Sequence, residues 1–214
     1  MGMGLFVRKH TENTDQPLYS TSLGSTILIV GLGNIGEEYN STRHNIGFAC
    51  IDEFARQQGF PAWQKKADLK CHLSKQNIGQ THVILIKPTT FMNESGQAVQ
   101  AVAKYFKIAN SSIVIVHDDL DINFGQIKTK VGGGSAGNNG IKSLIQHLGE
   151  DFGRIRIGIK NDLLEKMDSA DFVLAKFNKA ENEQIPKITR EISAMLSEYT
   201  VQGRLENKTI SILS

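Results

Sequence analysis

The residues best equipped for chemistry fall in five short polar clusters: Thr42-Arg-His-Asn45, Lys87-Pro-Thr-Thr-Phe-Met-Asn93, His117-Asp-Asp-Leu-Asp121, Lys128-Thr-Lys130 and Gly132-Gly-Gly-Ser-Ala-Gly-Asn-Asn-Gly140. The imidazole of His44 is of a type that takes or gives a proton near neutral pH, although a lone histidine is more often a surface residue. Asp118, Asp119 and Asp121, beside His117, suit either the orientation of a base or, less well, the several oxygen ligands of a hard cation. The amides of Asn93, Asn138 and Asn139 both donate and accept hydrogen bonds, and any of them would equally serve as a helix cap. Thr42 or Asn45 would cap the helix after His44 in the same way. Met92 and Phe91 are ordinary core types. Lys128 and Lys130 are ordinary for the solvated face of an edge strand. Arg154 and Arg156 share one strand face by period two, and if that face adjoins Lys130, four cations gather beside a glycine-rich helix start, which makes a phosphate site.

One further cluster, Gly31-Leu-Gly-Asn-Ile-Gly36, has the spacing of a dinucleotide-binding turn. Its context argues against that use. Two acids, Glu37 and Glu38, follow the glycines where a phosphate would lie, helical periodicity waits until Ile46, and Asp52 falls inside the helix instead of at a strand end. A tight turn is the simpler reading, and no cofactor is expected.

These clusters need elements to hold them. Buried strands are expected at Thr26–Val30, Val83–Ile86 and Ile113–Val116, each a continuous apolar run, and alternating strands around Leu69–Leu73, Phe124–Val131 and Arg154–Lys160. Helical stripes run over Ile46–Gln58, Ser95–Lys107 and Asn139–Leu148, and Ile185, Ile188, Ile192, Met195, Leu196 and Tyr199 mark a terminal helix with Pro186 in its first turn. The alternation predicts an α/β fold, a single domain with a mixed twisted β-sheet flanked by helices. The clusters then fall at strand ends and helix starts, where open α/β sheets place their sites.

Composition agrees with one core: 214 residues, 40% hydrophobic and 21% charged. Lys and Arg number 24 against 22 Asp and Glu, a net charge of +2 that announces neither nucleic acid nor membrane. Cys50 and Cys71 lack disulfide or zinc spacing, and no apolar run approaches the roughly 18 residues of a membrane span. A cytoplasmic protein is expected, its core domain covering 26–214. Residues 1–25, polar and aperiodic, are expected to be a flexible leader or a remnant of expression.

The motifs GLGNIGxxYxxTRHNxG, KPTTFMNxSG, HDDLD and KxKVGGGSAGNNGIKS, in this order over roughly Ile27 to Lys160, resemble those of the bacterial-type peptidyl-tRNA hydrolases. The resemblance implies cleavage of the ester between peptide and tRNA, so that tRNA is recycled from chains dropped by stalled ribosomes. It implies His44 as catalytic base, Asp118 as its partner, and Asn93, Asn34 and Asn139 lining the site, with Tyr39 and Met92 shaping the peptide end. Lys128, Lys130 and Arg156 match tRNA contacts, the last two on the 5′-phosphate of the acceptor stem. The implied chemistry is a water-using version of the triad, needing neither a nucleophilic serine nor a metal. The implied partner is peptidyl-tRNA alone, with the protein a monomer.

Two positions depart from the family pattern: Ile35 stands where proline usually follows the site asparagine, and Asn138 where histidine usually precedes Asn139. Asn138 remains a substrate-binding candidate by hydrogen bonding, without the capacity to titrate. Two rival readings predict different behaviour. An RNA-binding relative of the fold, as in intron splicing, would lack hydrolysis, and a dinucleotide-dependent oxidoreductase would ignore tRNA.

Overall fold

The computed structural model describes residues 24–213. The expected leader therefore lies outside the described residues, apart from Gly24 and Ser25. The Ser25 carbonyl, just before the first strand, accepts the His82 N–H at 2.8 Å.

Among the described residues, eight strands form one mixed sheet. They are β1 (Thr26–Gly31), β2 (Gln64–Lys66), β3 (Cys71–Ile78), β4 (Thr81–Pro88), β5 (Ile113–Asn123), β6 (Gln126–Val131), β7 (Gly153–Lys160) and β8 (Thr209–Ser211). Their order is β2-β3-β4-β1-β5-β7-β6-β8, with β4, β1, β5 and β7 mutually parallel and the flanks antiparallel. The three continuous apolar runs are the central strands β1, β4 and β5, which are buried on both faces. Alternation along β1 divides the core. Ile27 and Ile29 face one layer with Val83, Leu85, Val114 and Val116, while Leu28 and Val30 face the other with Ile84, Ile86, Ile113 and Ile115.

Helices cover both layers. The first layer packs on α1 (Ile46–Gln58) and α5 (Lys179–Gln202), the second on α2 (Ser95–Phe106) and α3 (Asn139–Leu148). α1 ends on Gly59 and α2 on Lys107, both left-handed, which returns orphan carbonyl groups to partners. α5 begins earlier than its apolar stripe suggests, because Asn178 and Glu181 form a capping box. Pro186 thus sits in the helix interior instead of the first turn. Three short elements give no sequence signal: β2, β8 and α4 (Ser169–Leu174). β5 is longer than its apolar run and carries the His117–Asp121 cluster within the strand. β8 covers β6, so Lys128 and Lys130 lie one strand in from the sheet edge.

Gly47 sets how closely α1 approaches the strand ends. A Cβ there would stand 2.4 Å from the Val116 carbonyl oxygen and 2.5 Å from that of Leu32. Only glycine lets the helix start lie directly against β1 and β5, and that contact brings His44 to Asp118.

Candidate active site

His44 lies in a 3-10 turn, Arg43–Asn45, between the β1 loop and α1. It is 8% exposed, so it is not a surface histidine. The turn is clamped from both sides. Arg43, almost fully buried, pairs through Nη2 with Glu181 at 2.7 Å and donates through Nη1 to the Lys176 carbonyl at 3.0 Å, its guanidinium 4.4 Å from the centre of the Phe172 ring. On the other side Asn45 does not cap α1. Its Oδ1 accepts the Asn34 N–H at 2.8 Å and its Nδ2 donates to the Asn34 carbonyl at 2.9 Å, stitching the glycine loop to the His44 turn. Thr42 does not cap α1 either, its hydroxyl donating to the Tyr39 carbonyl at 2.8 Å.

Asp118, projecting from β5 and 2% exposed, places Oδ2 2.8 Å from His44 Nδ1. Burial alone would lower the His44 pKa, but the Asp118 charge and hydrogen bond outweigh it, so the value stands above the ordinary 6.5. With Nδ1–H directed at the carboxylate, Nε2 is left as the proton acceptor. The neighbouring His117 is different. Burial dominates there and lowers its pKa, and its Nδ1 donates to the Asp118 carbonyl at 2.7 Å. Among the described residues no three His, Cys, Asp or Glu side chains gather in a metal-ligating group.

The candidate amides divide. Asn93 is exposed and makes no side-chain hydrogen bond among the described residues; the cap position of α2 falls on Glu94. Asn139, the exposed first residue of α3, lines the same cleft as His44 and Asp118, and Ser169, Ala170 and Val173 of α4 form part of its wall. Asn34 is buried, and its Oδ1 accepts the Met92 N–H at 2.8 Å. Met92 itself is 4% exposed, with its side chain in the core under Gly140. The structure therefore uses Asn34 and Met92 to join the loops after β1 and β4, and gives the Met92 side chain no open surface. Tyr39 is half-buried in the 3-10 turn Glu37–Tyr39. Asn138 caps α3, its Oδ1 accepting the Ile141 N–H at 3.1 Å, while its Nδ2 lies 3.2 Å from the Asp118 carbonyl and 3.3 Å from Asp118 Oδ1. The cleft is small, about 110 Å³. A larger cavity of about 540 Å³ lies away from it, between β2, β3 and the end of α2, and holds no histidine.

The basic strands pair in antiparallel register, Lys128 opposite Arg156 and Lys130 opposite Arg154. The expected gathering of four cations needs correction. Arg154 is 3% exposed, its guanidinium donating to the Gly133 and Gly134 carbonyls above the Phe152 ring. It braces the glycine loop from inside. Arg156 pairs through Nε with Asp119 at 2.7 Å, and its Nη groups make no hydrogen bond to protein among the described residues. Lys208, just before β8, replaces Arg154 at the open surface shared by Lys128, Lys130 and Arg156.

The family model described as peptidyl-tRNA hydrolase matches residues 28–212. The chain belongs to this family. Peptidyl-tRNA hydrolases of Bradyrhizobium diazoefficiens and Aliarcobacter butzleri are 43% and 44% identical to it, over 74% and 76% of this chain and 77% and 86% of theirs. A crystal structure of peptidyl-tRNA hydrolase from Acinetobacter baumannii superposes with a TM-score of 0.77 at 35% identity, covering 85% of this chain and 91% of that one.

For this chain, sequence reasoning misses the residues that hold His44 in place. Glu181 announces itself as part of a capping box, but nothing local couples it to Arg43, 138 positions away. Asn45 reads as a cap and is a loop clasp. α4, a wall of the cleft, is too short to show periodicity. In place of the glycine-turn dinucleotide reading, the glycines lead into two 3-10 turns, and the first helix opens only at Ile46.

Proposed function

We propose that the chain hydrolyses the ester linking a peptide to tRNA, and that His44 is the base. The observation that carries this is the buried His44 Nδ1 to Asp118 Oδ2 contact of 2.8 Å beside an open cleft. Neutral His44 takes a proton from water through Nε2 as the water oxygen bonds to the ester carbonyl carbon, and Asp118 stabilises the imidazolium formed. Collapse of the tetrahedral intermediate breaks the bond to the ribose oxygen, which takes the proton back from His44. The products are tRNA with its terminal hydroxyl restored and a free peptide acid, which gives up its remaining proton to solvent and leaves as the carboxylate. Asn93, exposed and without a side-chain partner among the described residues, holds the water or the developing oxyanion. Asn139 bonds the peptide backbone, a contact indifferent to side-chain identity.

The reading extends to Lys128, Lys130 and Arg156 as the phosphate-contacting surface for the acceptor stem. We propose further that it acts as a monomer and in the cytoplasm. Among the described residues no helix is long and apolar enough to cross a membrane. The decisive experiment follows intact peptide release from N-acylated aminoacyl-tRNA beside unacylated aminoacyl-tRNA, with excess chelator present. Release from the first only, undiminished by chelator, is expected. Binding without release favours the RNA-binding reading, and loss of activity restored by magnesium sinks the metal-free mechanism.

A further inference from the structure

Asp118 is enclosed, and each of its oxygens must find a partner or carry a large desolvation cost. Oδ2 is taken by His44. Among the described residues, Oδ1 meets one hydrogen-bond donor, the Nδ2 of Asn138 at 3.3 Å, which also lies 3.2 Å from the Asp118 carbonyl. The direction of that amide is decided independently. Its Oδ1 accepts the Ile141 N–H at 3.1 Å in capping α3, so the opposite end, the NH2 group, must face Asp118. Both ends of the Asn138 side chain are thus used inside the protein, and the open face of the cleft is left to Asn139.

Resting on the proposed function, we infer that Asn138 is a positioning residue that fixes the Asp118 carboxylate and so aims and tunes His44. A carboxylate held only through Oδ2 rotates about its terminal bond, which has a broad, weak preference. The second hydrogen bond, anchored to the first turn of α3, removes that freedom. An asparagine performs this without titrating, so the pair answers to one proton. The other charged or titratable groups nearby are already engaged: Asp119 with Arg156, Arg43 with Glu181, and His117 neutral with its Nδ1–H on the Asp118 carbonyl. From α4 and the glycine loop the cleft receives Ser169, Ala170, Val173, Ala136, Gly137 and Asn139, none of them titratable.

Two variants separate positioning from capping, because serine and aspartate both cap helices about as well as asparagine. Asn138→Ser keeps the cap but is too short to reach Asp118. Its carboxylate should loosen, burial should then weigh more heavily on His44, and the ascending limb of the pH profile should move down, with kcat lowered roughly tenfold and KM little changed. Asn138→Asp keeps the cap and adds a negative charge beside the pair. The limb should move up and kcat at pH 7 should fall. His44 is also titrated by NMR in the free protein, which reads the inference even if peptidyl-tRNA proves not to be the substrate. Opposite shifts in the two variants, at near-unchanged melting temperature, are expected. An unmoved His44 titration in both would overturn the positioning role and leave Asn138 a cap.

Discussion

His44 gains its character from a contest between burial, which disfavours the imidazolium, and the Asp118 carboxylate 2.8 Å away, which favours it more. The folded protein therefore binds this proton more tightly than the unfolded chain, whose histidine titrates near 6.5. The stability so gained is present in full below the unfolded value and is lost as pH rises through the higher folded one. Catalysis runs the other way, since only neutral imidazole accepts a proton. The ascending limb of kcat/KM against pH should have its midpoint above 6.5. Asp118→Asn leaves burial without its opposing charge and should drop the midpoint below that value; a limb that stayed in place would mean that the pair does not govern the rate. His44→Ala should lower kcat by on the order of 10² to 10⁴ while tRNA binding, followed by filter retention, changes little.

At the scale of elements, the His44 turn is set by what grips its two ends: Asn45 on the glycine loop and Arg43 on the α4–α5 junction. Glu181 accepts from Arg43, from the Asn178 N–H at 2.8 Å and from Asn161, so its buried charge is fully partnered. Breaking such a pair from one side costs about 3 to 5 kcal/mol, whereas replacing both partners with apolar groups is often close to neutral. Glu181→Gln should therefore destabilise the protein strongly in urea unfolding. Arg43→Met combined with Glu181→Leu should recover only part of that stability, since the Asn178 N–H and the Asn161 amide lose their acceptor, and should keep a reduced kcat, because the Arg43 contacts that tie α4 to the His44 turn are gone. Full recovery of kcat would show that the clasp serves stability alone. These elements were unequally legible in the sequence. β1, α1, α3 and the apolar part of β5 follow from periodicity, because burial on a face imposes it. β2 and β8 are short and largely polar, α4 is only six residues long, and all three exist through their neighbours. The expected strand from Phe124 starts only at Gln126, and Leu69 falls in a 3-10 turn before β3. The pairing of His44 with Asp118 spans 74 positions, and only the resemblance carried it. Arg154, read as a surface cation, turned inward because the glycine loop has carbonyl groups that need donors.

For the whole molecule, the near-neutral net charge hides a division of labour along the sheet. Adjacent strands lie about 4.8 Å apart, so β6 stands roughly 10 Å from β5, which carries Asp118, with β7 between them. A basic surface at that distance suits an acceptor stem whose 3′ end reaches the cleft while its backbone rests on Lys128, Lys130, Arg156 and Lys208. Of these, Lys130 is exposed, whereas Arg156 shares its charge with Asp119. Phosphate contacts release condensed counterions, so each one steepens the fall of affinity with salt by about one unit on a logarithmic plot, or somewhat less on single strands. Lys130→Ala should flatten that slope by about one unit and raise KM more than it lowers kcat. If Lys130 meets the terminal 5′-phosphate, the variant should lose more on 5′-phosphorylated than on dephosphorylated substrate, and Arg156→Gln should show the same bias. Equal losses on both substrates, with the slope still flattened, would assign the patch to internal phosphates of the stem. An unchanged slope would remove Lys130 from the interface and leave it as the solvated face of β6.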